Sequence, residues 1–201
     1  KEKAFRNCFN LVADKILILS DGNIKNFAFQ NCQKLNSALT FQEKKETTKE
    51  PKSTIGEYAF QGTGISKLNL PHIAKISENA FENCLLLEGP SEDKYEELNV
   101  DTISSYAFNG DVLLHFTKIT SKSIGTSSFQ YCRNLGANIF LHGEKANVAD
   151  YSFYSCDKLG TLTIDQSHLN DYQLVGDKDK ISIPTYAFAK SGLSGKLLIP
   201  N

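Results

Sequence analysis

Residues Ile76-Ser77-Glu78-Asn79-Ala80-Phe81-Glu82-Asn83-Cys84 hold a unit that the rest of the chain repeats. Its centre, a small residue followed by Phe, recurs eight times: Ala4-Phe5, Ala28-Phe29, Ala59-Phe60, Ala80-Phe81, Ala107-Phe108, Ser128-Phe129, Ser152-Phe153 and Ala187-Phe188. Successive Phe residues lie 24, 31, 21, 27, 21, 24 and 35 positions apart, so a unit of 21–24 residues carries occasional insertions. Five residues before Phe stands a β-branched aliphatic: Ile24, Ile55, Ile76, Ile103, Ile124, Val148 and Ile183. Two residues before it there is often an aromatic: Phe27, Tyr58, Tyr106, Tyr151 and Tyr186. Three residues after it come Cys8, Cys32, Cys84, Cys132 and Cys156, which are all the cysteines of the chain. One such unit cannot bury its own apolar edge. A fixed period therefore implies coils stacked on one another, each covering its neighbours.

Where Cys is present, a Leu follows six residues after Phe: Leu11, Leu35, Leu87, Leu135 and Leu159. The other three copies carry Thr63, Asp111 and Ser191, with the aliphatic one position earlier at Ile65, Leu113 and Leu193. Gly64 and Gly192 precede two of these, which predicts a tighter turn that glycine permits. An apolar-x-apolar step comes next: Ile16-Leu17-Ile18, Leu39-Thr40-Phe41, Leu68-Asn69-Leu70, Ile139-Phe140-Leu141, Leu162-Thr163-Ile164 and Leu197-Leu198-Ile199. That alternation marks a half-buried strand. Pro71 and Pro200 close two of the steps, because Pro cannot extend a ladder. The fourth and fifth copies show the step poorly. The whole predicts one solenoid over residues 1–201, with eight Phe rings in a buried column and five buried, reduced thiols.

The stretch from Ile76 to Cys84 and the strand type Lys67-Leu68-Asn69-Leu70-Pro71 resemble the BspA-like class of leucine-rich repeats. The resemblance covers nearly the whole chain. It implies an α/β-type repeat solenoid, mostly β: a right-handed coil with a parallel sheet on one face and little α-helix. It also implies an adhesin-like, macromolecule-binding scaffold of a secreted or cell-surface protein, with a protein or glycan partner such as a host or extracellular-matrix molecule. The chain departs from the class in its three insertions and in the three copies without Cys.

Nothing in the sequence specifies chemistry. Lys plus Arg number 22 against 23 Asp plus Glu, a net charge of −1. That balance offers no footprint for nucleic acid or an anionic membrane. The most apolar run, Ile16-Leu17-Ile18-Leu19, falls far short of the ~20 residues that span a bilayer. The cysteines form no CxxC pair, and His72, His115, His142 and His168 fall in different copies, so no metal or cofactor site is expected. There is no GxSxG elbow, and Gly192–Lys196 lacks the rest of a phosphate-binding loop. Ser91 with Lys94 is a weak Ser/Lys pair in an acidic loop. Catalysis is not expected. The chain opens on Lys1 rather than Met and stops inside the pattern at both ends, so a longer array is expected.

Two binding surfaces are candidates. Insertions at 42–54, 88–99 and 165–180 are polar and fall between a strand and the next β-branched residue. They read as solvated loops or as a binding rim; 171–179 lacks the spacing of a calcium loop. The strand face is the other candidate. The central residue of each step must point outward, giving the row Leu17, Thr40, Asn69, Phe140, Thr163 and Leu198, with Thr117 as a further member. His142 and Lys196 flank it as a polar rim. Three members are large and apolar, as interaction surfaces tend to be. The alternative function is a structural stalk or spacer with no ligand of its own.

Overall fold

In a computed structural model of the chain, residues 1–19, 22–42, 53–91, 96–143, 146–164 and 184–195 are described. Ile183, His168, Lys94, Lys196, the step at 197–199 and most of the three insertions lie outside them. The described residues contain eleven strands and no helix: β1 (Lys15–Leu19), β2 (Ala38–Gln42), β3 (Thr54–Ile55), β4 (Lys67–Asn69), β5 (Ile73–Ile76), β6 (Glu97–Ile103), β7 (Lys118–Ser121), β8 (Ser123–Ile124), β9 (Asn138–Leu141), β10 (Asn147–Val148) and β11 (Leu162–Ile164). Every pairing is parallel, and the chain is a parallel-strand β-solenoid.

The alternating steps among the described residues form the expected strands, but in two groups. β1, β2 and β4 pair in the register Leu17↔Thr40↔Asn69. The start of β6 then pairs with β7, β9 and β11 in the register Asn99↔Thr120↔Phe140↔Thr163. Between the groups the fourth coil contributes only the bridge Lys67↔Gly89 before Pro90 interrupts it. A second parallel ladder runs through the β-branched positions: Ile24 bridges Ile55, and Ile76, Ile103, Ile124 and Val148 follow in register. The sheet is thus not confined to one face.

The eight Phe rings stack as consecutive neighbours, with centroids 5.1–5.5 Å apart and planes within 13°. That spacing follows from the backbone. Each Phe N–H donates to the carbonyl of the small residue before the next Phe, from Phe5 to Ala28 through Phe153 to Ala187. Coils bonded in this way sit one strand spacing apart. The small residues Ala59, Ala80, Ala107, Ser128 and Ser152 are fully buried, leaving no room for a larger side chain. The column is not buried throughout. Phe60, Phe81, Phe108, Phe129 and Phe153 are sealed, Phe29 and Phe188 are half-buried, and Phe5 is 44% exposed.

A feature absent from the sequence reading makes this edge turn. In all eight coils the residues two before and two after Phe are left-handed, with φ between 51° and 80°. Asn7, Asn31, Gly62, Asn83 and Gly110 hold the second position, residues that accept this conformation at low cost. Gly64 is needed for close approach: a Cβ there would lie 2.4 Å from the Gln33 carbonyl oxygen. The fifth coil differs from expectation. Leu113 is exposed and Leu114 fills the core, so that coil keeps the spacing of the Cys-bearing copies.

Candidate functional site

The outward row is open only in part. Leu17 is 54% exposed. Thr40 and Asn69, in register with it, are buried instead. Asn69 Nδ2 donates to Thr40 Oγ1 (3.2 Å) and to Ser91 Oγ (2.8 Å), and Ser91 N–H donates back to Asn69 Oδ1. Pointing away from the core does not expose these two, because the next coil engages them in a polar chain. Thr117 is exposed but lies before β7, where its N–H and hydroxyl donate to the Glu96 carbonyl. Thr120 occupies the register slot beside Phe140 instead.

The open part of the face centres on Phe140. Its ring is half-exposed on β9, with exposed Thr163 beside it on β11. Lys118 Nζ lies 5.5 Å from the ring centroid, and the His142 ring lies 6.3 Å away at an interplanar angle of 18°. Lys118 also reaches Glu97 Oε2 at 3.4 Å. This group has an aromatic face, a cation and hydrogen-bonding side chains. An aromatic face beside a cation is an arrangement that recognition sites use. Lys196 and Leu198 lie outside the described residues.

A second aromatic group escaped the sequence reading. Tyr151 packs on Tyr186 (5.2 Å) and on Tyr154 (5.9 Å), Tyr154 meets Tyr131 edge-on (5.8 Å), and Lys190 Nζ sits 5.3 Å from the Tyr154 ring centroid. Tyr131, Tyr151 and Tyr186 are all at left-handed positions, and their clustering follows from coil spacing. A recess of about 180 Å³ opens at the break between the strand groups, lined by Glu88, Pro90, Ser91, Glu96, His115, Phe116 and Thr117.

The titratable groups hold coils together. His72 Nε2 and Lys122 Nζ contact the two oxygens of Asp101 at 3.0 and 3.2 Å. Partial burial alone raises the Asp101 carboxyl, and the hydrogen bonds from His72 and Lys122 outweigh it, leaving it below the ordinary carboxylate value. Four thiols act as donors between coils: Cys32 to Phe5 O, Cys84 to Phe60 O, Cys132 to Phe108 O and Cys156 to Phe129 O, each at 3.0 Å. Burial pushes the Cys84, Cys132 and Cys156 thiols up, the opposite of an activated nucleophile. All five cysteines are free, and Cys8 is exposed rather than buried. No group of three metal-ligating side chains occurs among the described residues.

The BspA type Leucine rich repeat region is matched in six copies, over residues 1–88, 53–178 and 101–201. The chain belongs to the BspA-type leucine-rich repeat family. No curated protein and no solved structure matches it. Membership in the BspA-type family agrees with the stacked coils and makes the chain a repeat scaffold, a fold typically non-enzymatic and often protein-binding. No helix among the described residues is long and apolar enough to cross a membrane.

Proposed function

We propose that this BspA-type array is a non-catalytic, adhesin-like binding module of a secreted or cell-surface protein. It engages a protein or glycan partner through the strand face around Phe140. The observation that carries the proposal is the half-exposed Phe140 ring flanked by Lys118 and His142, at an outward strand position where water alone favours a polar residue. Aromatic anchors with a polar rim concentrate binding energy in interfaces. A spacer role is favoured by one feature, the side-chain chain Gln30–Gln61–Glu82, whose 2.6 Å hydrogen bonds tie three coils together.

The test is an array screen against extracellular-matrix proteins and glycans, comparing wild type with a Phe140→Ser, Lys118→Ala variant shown by circular dichroism to fold. Loss of an anchor worth about 2 kcal/mol weakens binding about thirtyfold. A ligand held equally tightly by the folded variant would move the site elsewhere on the array. No ligand at all would leave the spacer as the function.

A further inference from the structure

The column three residues after Phe is a run of thiols and hydroxyls, with one exception. In the fifth coil it is Asp111, whose exposure is 0%. Oδ1 accepts the Cys84 N–H at 2.8 Å, while Oδ2 is buried with no hydrogen-bond partner among the described residues. The ionisable groups facing it are Cys84 and Glu82 from the fourth coil and Cys132 from the sixth, and none of these is a cation. An ionised carboxylate so placed loses its hydration and receives one amide in return. Burial, above all, and then the Glu82 charge push the carboxyl well above the ordinary range, against the Cys84 amide, which lowers it.

We propose that Asp111 is held as an uncharged carboxylic acid at the junction of the fourth, fifth and sixth coils. Its ionisation loosens that junction, so the array carries a pH-responsive joint. The direction follows from linkage. Folding favours the protonated acid, so its stabilising contribution is complete below the unfolded carboxylate pKa of about 3.9 and is lost as pH rises through the higher folded value. Between those values the open state releases one proton, and the opening equilibrium grows about tenfold per pH unit.

The joint is flanked by reporters. Cys84 and Cys132 are buried beside Asp111, Cys156 is buried one coil further on, and Cys8 is exposed. Folded protein is alkylated from about pH 6 to about pH 9, and each rate is read by mass spectrometry as a ratio to the same cysteine in urea-denatured protein at that pH, which cancels thiolate formation. In wild type the Cys84 and Cys132 ratios rise with pH, by up to about tenfold per unit, while that of Cys156 stays level. In Asp111→Asn, and in Asp111→Thr, which copies the third coil's Thr63, both ratios stay level. A level Cys84 ratio in wild type overturns the proposal even if neither variant folds. A rise shared by Cys156, or one that persists in a folded variant, overturns it too.

Discussion

Phe108→Ala removes a ring from the middle of the column. Phe108 is fully buried and stacks at 5.2 Å on both Phe81 and Phe129. Truncating a buried Phe costs about 3–5 kcal/mol, from the lost transfer energy and the cavity that remains. The two stacked faces hold part of this, at about 0.5–1.5 kcal/mol each. The site belongs at the upper end of the range. Collapse would need both neighbouring rings to move, and each is fixed by its own Phe-to-carbonyl backbone bond. Phe5→Ala is the internal control. Phe5 is 44% exposed, has one stacking partner and leaves no closed cavity, so its loss costs about 1 kcal/mol. The assay is urea unfolding followed by circular dichroism, as the chain has no Trp. An unchanged slope identifies a true stability change rather than loss of cooperativity. A cost below about 1.5 kcal/mol for Phe108→Ala, or equal costs at the two positions, would refute the column as the main source of cohesion.

Gly64→Ala is expected to destabilise by about 1–3 kcal/mol, because the added methyl meets the Gln33 carbonyl oxygen at 2.4 Å in the neighbouring coil. A melting temperature within a degree or so of wild type would show that the turn relaxes freely. Thiol titration of denatured, unreduced protein should count five free thiols, and brief titration of folded protein at neutral pH should count one, Cys8. Three or fewer in the first experiment would reveal a disulfide.

The column of rings was legible because small-residue-plus-Phe survives every insertion. The strands of the fourth and fifth coils were not, for two reasons. Gly89-Pro90 breaks the alternation in the fourth coil, and in the fifth β7 places Ser121 where its neighbour β9 has Leu141. The second ladder shows in the sequence as a column of β-branched residues but not as strands. Segments such as Thr54–Ile55 and Asn147–Val148 are too short for alternation to register. Leu113 and Leu114 are adjacent, so spacing alone could not say which enters the core. At the site, alternation gave the direction of Thr40 and Asn69 but not their cover, which Ser91 supplies for Asn69 from another coil. The tyrosine cluster depends on a left-handed backbone, whose trace in the sequence is the Asn and Gly two residues after Phe.

The hydrogen bonds from each Phe to the next coil also set how the molecule carries tension. They run between coils, along the stacking direction, so a pull that separates the two ends breaks them coil by coil rather than all at once. Seams stacked in series all bear the same tension, and the weakest parts first. A coil of 24 residues, such as Phe5 to Phe29, pays out up to about 80 Å of extended chain when its seam parts. An array built this way lengthens in steps under force, and each released coil relaxes the tension before the next one parts.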